Sequence, residues 1–234
     1  MRYNIIKASE VLENPSFQGV LEIAKEIINQ NKVLNTEMLY NIAKKKLNIP
    51  RKGLLSIIQT LLNRKILVEG SKYTRDTVMK NPFRKMLYDF IKENIGSHFS
   101  LIRKEINFDE KGKIASPGRL IWHLEMLLKF NFIKKLKYKN YTLFLPLNII
   151  EEEGIFHFIL RDEINLKIIK KVYELKSIRG AEIYKEIHEK RELVYYRVKN
   201  LIDLELLAIE GENNENIIIN PKVYKLITKN LTNS

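Results

Sequence analysis

The chain of 234 residues contains no cysteine. That excludes a disulfide framework, a thiolate nucleophile and any zinc or iron–sulfur centre held by thiolates. Glycine is scarce, at 9 residues, and none of it forms the glycine-rich loop that cradles phosphates. No apolar run approaches the roughly 18 residues of a membrane span. Residues 1–10 hold no signal-peptide core. A cytoplasmic protein without membrane contact is therefore expected. The 4 histidines, His98, His123, His157 and His188, show no His-x-x-x-His spacing. No catalytic residue, metal-ligand set or cofactor motif stands out, so the expectation is a non-enzyme that needs no cofactor.

What the chain does have is positive charge. Lys and Arg number 41 against 28 Asp and Glu, a formal net charge of +13. Such an excess suits a polyanion, most simply nucleic acid or an anionic membrane surface. It is unevenly placed. Residues 1–79 hold 13 basic and 7 acidic side chains, residues 80–148 hold 14 and 6, and residues 149–234 hold 14 and 15. The acidic run Glu151, Glu152 and Glu153 marks the change of sign. Ile, Lys and Asn, at 33, 30 and 22 residues, share A/T-rich codons and point to an A/T-rich genome.

One pattern recurs three times. With Ile58, Leu124 and Val198 in register, Leu61, Leu127 and Leu201 fall three residues later. The pairs Ile66–Leu67, Phe132–Ile133 and Leu206–Leu207 begin five residues after those. Apolar residues three and four apart make a helical stripe, the polar break after it stops the helix, and the apolar pair starts a strand. Each strand is expected to return across a polar turn, at 69–72, 138–140 and 211–216. Two helices are expected before each recurring one, near 16–30 and 36–47, near 82–94 and 101–106, and near 162–175 and 180–189. Asn81 reads as an N-cap for the 82–94 helix, and Asn220–Pro221 as the start of a final helix over 221–231. The order helix, helix, turn, helix, hairpin is that of a winged helix-turn-helix. The fold class expected is mainly α with small β-hairpin wings, in three tandem winged helix-turn-helix domains. Their bounds are 1–79, 80–148 and 162–234, with 149–161 as a linker.

Ser116-Pro117-Gly118, then Ile121-Trp122-His123-Leu124, Leu127 and Phe132-Ile133, resembles the recognition helix of archaeal winged-helix transcription regulators. Where that family usually has Gly, this chain has Asn131, which tolerates the left-handed conformation the position needs. The third copy is similar more loosely, through residues 181–187 and 196–201. Multi-winged-helix regulators of the euryarchaea, the type that includes archaellum operon activators, have a similar layout. The resemblance implies a sequence-specific regulator of transcription that binds double-stranded DNA in promoter regions.

Candidate DNA-contacting residues follow from the expected faces. On the 117–129 helix, Leu120, Ile121, Leu124, Leu127 and Leu128 are expected to be buried. Arg119, Trp122, His123 and Met126 are expected to face out, with Ser116 at the helix start. Arg119 in the first turn could donate to a guanine edge, and an aromatic or Met could pack on a thymine methyl. Lys134, Lys135, Lys137 and Lys139 crowd the wing, where phosphates lie. The insert at 107–115, with Lys111 and Lys113, either reaches the backbone or is a tolerated extension. In the first copy, Arg51, Lys52, Gln59 and Arg64 are the candidates, with Ser56, Thr60 and Asn63 on the same face and Lys44 to Lys46 nearby. The third copy has Arg191, Tyr195, Tyr196, Arg197 and Lys199, but its wing carries Glu210, Glu212 and Glu215, which phosphates repel. A protein contact is therefore expected there, with the basal transcription machinery or a second copy of the chain as partner. The competing class is a non-enzymatic winged-helix scaffold, as in ESCRT-II or RNA polymerase accessory subunits. The basic first two copies favour DNA over that reading.

Overall fold

Asparagine opens the first two helices of the described residues. In the computed structural model, which describes residues 13–30, 33–106, 116–211 and 215–231, Asn14 caps α1 (Pro15–Asn29) by accepting from the Ser16 amide. Asn35 caps α2 (Thr36–Lys46) by accepting from the Met38 amide. These side chains satisfy amides that have no partner inside the helix. α3 (Arg51–Asn63) follows. Val20, Ala24, Leu39, Leu54, Leu61 and Leu67 are among the side chains that close the three helices around one apolar core.

The hairpin expected after α3 is absent: among the described residues no strand lies between Asn63 and Arg75. The chain turns instead at Gly70, where φ is +69°. There it bonds across to Leu34, whose amide donates to the Ser71 carbonyl and whose carbonyl accepts from the Gly70 amide. Thr74 then starts α4 (Arg75–Met79) with a capping box shared with Thr77. The segment between Leu67 and Arg75 is thus bonded to Leu34 and to the start of the next helix in place of a return strand.

Asn81 caps α5 (Pro82–Glu93) as its sequence context predicts, accepting from the Arg84 amide at 2.9 Å. β1 (Ser97–His98), α6 (Phe99–Glu105), α7 (Pro117–Lys129), β2 (Ile133–Tyr138) and β3 (Tyr141–Pro146) complete this part. The insert 107–115 lies outside the described residues. β1, β3 and β2 form an antiparallel sheet in that order, with Leu136 opposite Leu143 and Tyr138 opposite Tyr141. Phe83, Leu87, Ile91, Ile102, Leu120, Leu124, Leu127 and Phe130 build a second core, which Val78 of α4 joins. Packing thus ties both sides of the boundary expected at residue 79. Arg75 ties them again, donating to the carbonyls of Phe130 at 2.6 Å and Asn131 at 2.9 Å.

The chain divides into two compact units, Met1–Asn148 and Ile149–Ser234. The second begins with α8 (Glu151–Leu160) where a linker is expected. Three glutamates in its first turn favour the helix through its dipole, and Phe156 and Ile159 are buried. α9 (Glu163–Leu175) is capped by Asp162. Its Asn165 side chain donates to the Ile159 carbonyl at 3.1 Å, fixing the end of α8. Next come β4 (Ser177–Arg179), α10 (Ile183–Glu186), α11 (Arg191–Asp203), β5 (Leu207–Glu210) and β6 (Asn216–Ile219). The sheet order is β4-β6-β5, matching that of the first unit. Asn220 caps a short turn, Pro221–Val223, that leads into α12 (Tyr224–Leu231).

α3, α7 and α11 are each 13 residues long and end alike. Lys65, Asn131 and Glu205, at the same register position, adopt φ of +54°, +52° and +55°. The next amide in each copy, Ile66, Phe132 or Leu206, donates to the carbonyl of Leu61, Leu127 or Leu201 at 2.9–3.0 Å. This left-handed exit satisfies helix-end carbonyls and aims the following apolar residue back at the core. The architecture is mainly helical with small antiparallel hairpins, an arrangement compatible with winged helices.

Candidate nucleic-acid interface

α7 starts where Ser116 accepts from the Arg119 amide at 3.3 Å, with Pro117 at the first helical position. Its buried arc runs through Leu120, His123, Leu124, Met126 and Leu127. Two expected contacts are thereby corrected. His123 is 3% exposed and Met126 8%, so neither side chain faces out. α5 is the cause: its Phe83 meets the His123 ring edge-on at 4.8 Å between centroids, covering that flank. Ile121, expected inside, is 49% exposed. Arg119 sits half-buried beside the covered flank.

The outward face is therefore Gly118, Ile121, Trp122, Glu125 and Lys129. Trp122 is 45% exposed and held from beneath. The buried Arg84 guanidinium lies 5.5 Å from the Trp122 ring and 5.1 Å from that of Tyr73. Tyr73 in turn meets Trp122 edge-on at 6.4 Å. Cation–π and edge contacts of this kind fix a ring that would otherwise rotate. Neither Arg84 nor Tyr73 is marked by the helical pattern, because both lie far from α7 in sequence.

The wing carries the charge. Lys135 and Lys137 project from one face of β2 and are exposed, Lys134 on the other face is half-buried, and Lys139 occupies the turn at φ +49°. Lys135 reaches Glu125 of α7 at 3.6 Å, which joins the helix face to the wing. Both side chains are largely exposed, so the pair adds little stability. Burial pushes the Tyr138 hydroxyl above its ordinary pKa.

In the first copy, Arg51 and Lys52 are exposed at the start of α3, and Arg64 is half-buried at its end. Gln59 is exposed but donates to Asn63 at 2.8 Å, so one of its amide hydrogens is already engaged. Leu55, 46% exposed, shares this face. Near the exits of α3 and α7, Leu21, Lys25, Ile66, Arg75, Asp76, Met79 and Phe132 line a cavity of about 460 Å³. Lys25 and Asp76 pair at its rim at 3.4 Å. The Asp76 carboxyl lies below its usual pKa: burial opposes this, and the Thr74 hydroxyl and Lys25 outweigh it.

α11 differs in kind. Arg197, expected on its surface, turns inward to Asp162, the cap of α9, at 2.7 Å. Arg191 lies over the Tyr195 ring at 5.1 Å. Tyr196, 62% exposed, and Lys199 remain on the surface, as does Glu210 of the wing. Glu212 lies outside the described residues. Among the described residues no group of three or more His, Asp or Glu could hold a metal ion, and no helix is long and apolar enough to cross a membrane.

No family model matches the chain. It is 26% identical over 169 residues to an uncharacterized HTH-type transcriptional regulator of Methanocaldococcus jannaschii, an alignment that takes in 62% of this chain and 41% of that protein. The chain thus spans under half the length of this relative.

Proposed function

We propose that the protein is a sequence-specific regulator of transcription that binds double-stranded DNA through α3, α7 and the β2–β3 wing. One observation carries the reading. The outward helix of the second copy adjoins a lysine-lined hairpin, within a unit that holds all of the chain's net positive charge. A helix entering the major groove while a basic hairpin lies along the phosphates is how winged helices grip a duplex. The likeness to an archaeal HTH-type regulator supports the same class.

The tandem division into three winged-helix domains, with bounds at 79 and 148, belongs to this proposal. The second unit is assigned to a protein partner, either the basal transcription machinery or a second copy of the chain. Its near-neutral charge and the exposed Tyr196 support that assignment. No catalytic step and no cofactor enter the reading.

Fluorescence anisotropy of the full chain on a 30-base-pair A/T-rich duplex, titrated across salt, tests it. The expected slope of log K against log [salt] is on the order of −4 to −7. Absence of binding at low salt would reject DNA as the ligand and leave the scaffold class standing.

A further inference from the structure

The exposed face of α7 has a composition that phosphate binding does not explain. Its first two turns present Gly118, Ile121 and Trp122, which offer carbon surface and one indole N–H. Phosphates and the polar edges of bases gain little from such a face. The major groove has a single apolar feature, the C5-methyl of thymine.

Gly118 adds an independent observation. A Cβ built there would meet nothing within 4 Å, and its backbone lies outside the left-handed region. Neither packing nor conformation in the protein calls for glycine at this position, although glycine weakens a helix. Its missing side chain opens the helix surface beside Ile121 and Trp122 to close approach from outside. The charges on the same helix and on its wing select the visitor: Lys129, Lys137 and Lys139 are exposed, and Glu125 is held by Lys135. An apolar strip on a helix joined to a lysine-bearing wing matches a methyl-bearing groove between two phosphate rows.

Resting on the DNA reading above, we infer that α7 reads thymine methyl groups through Ile121 and Trp122, with Gly118 letting the helix backbone come close. Trp122 is preorganised for this by Arg84 and Tyr73, so little ordering is left to do on binding.

The test takes the tightest duplex that the full chain enriches from a randomised pool. That duplex is then rebuilt with deoxyuridine in place of thymidine, which removes only the methyls. Deleting one methyl that the helix covers should weaken binding about fourfold, and deleting two such methyls about fifteenfold. Ile121→Ser, at an exposed site, should bring the two duplexes closer together in affinity, through a loss that falls mainly on the thymine-containing one. Trp122→Ala should do the same. Equal affinity of the natural chain for both duplexes would overturn the inference and leave the DNA reading intact. So would a thymine preference that is undiminished in both variants. If no duplex is enriched and none binds at low salt, the DNA reading fails and takes the inference with it. The apolar face would then belong to a protein contact.

Discussion

Removing the Arg75 fork should loosen the exit of α7 while leaving the second unit untouched. Its guanidinium donates to the carbonyls of Phe130 and Asn131 and lies 4.3 Å above the Phe132 ring. Burial lowers its pKa from the usual arginine value, but it stays charged at any ordinary pH. A hydrogen bond to a charged donor contributes about 1.5–3 kcal/mol when well buried. The Asn131 carbonyl belongs to an exposed residue, so its bond counts at or below the low end, and the stacked ring adds about 0.5–1 kcal/mol. Arg75→Ala should therefore cost the first unit about 2–4 kcal/mol. Arg75→Lys keeps the charge but cannot span both carbonyls, and should cost about half as much. Trp122, the single tryptophan, lies in that unit and reports its unfolding separately from the second. Urea titration followed by its fluorescence gives the shift, at unchanged slope, for natural chain and variants. A loss under about 0.5 kcal/mol would refute the reasoning, since it would mean that the carbonyls are as well served by water. Equal costs for the Ala and Lys variants would refute the role of the fork.

Gly118→Ala should raise the stability of the first unit by about 0.5–1 kcal/mol, because the added methyl enters open space, yet weaken binding to the selected duplex. Paired urea and anisotropy titrations would show whether stability and binding part company in this way. Replacing Lys134, Lys135 and Lys137 by Ala should flatten the salt slope by about 2. Of the single variants, Lys137→Ala should change the slope more than Lys135→Ala, whose lysine is partly neutralised by Glu125. His157 lies below its ordinary pKa, chiefly through burial, with Arg161 and Lys229 adding to the effect and Glu153 opposing it. The unfolded chain then takes up the proton first as pH falls, so the second unit should lose stability below about pH 6.5. His157→Phe should remove part of that loss, measured by denaturation at pH 7.5 and 5.5.

Local chemistry made much of the fold legible. Asn81 and Asn220 each cap the helix or turn they precede, as expected, because a cap is a bond between near neighbours in sequence. The left-handed Asn131 was readable through the family resemblance, which puts a glycine at that position. The strands β1 and β4 were not, since two or three residues show no period; their strand character comes from pairing with β3 and β6. The orientation of α7 was legible only in part. Its stripe centres on Leu120, Leu124 and Leu127 as expected, but whether the 121 flank or the 123 and 126 flank is covered depends on α5. Phe83, forty residues from His123, makes that choice, and no periodicity within α7 encodes it. α8 was hidden because its acidic first turn resembles a solvated linker until Phe156 and Ile159 find their packing.

The three recurring helices separate what the fold requires from what a ligand would read. Inward positions repeat: Leu54, Leu120 and Val194, then Leu61, Leu127 and Leu201, are all buried. Outward positions diverge. α3 shows Lys52, Leu55, Ser56, Gln59 and Asn63, α7 shows Gly118, Ile121, Trp122 and Glu125, and α11 shows Arg191, Glu192, Tyr196 and Lys199. A core constrains only the first set, so the second is free to specialise. On the DNA reading, the face of α3, polar except for Leu55 at the position of Ile121, suits phosphates and polar base edges, and the more apolar face of α7 suits methyls. Both faces belong to one compact unit, so engagement of one would raise the effective concentration of the other at the duplex. Two unlike faces on one chain need no symmetric operator. A palindromic site would have to come from pairing two chains, which on this reading falls to the second unit.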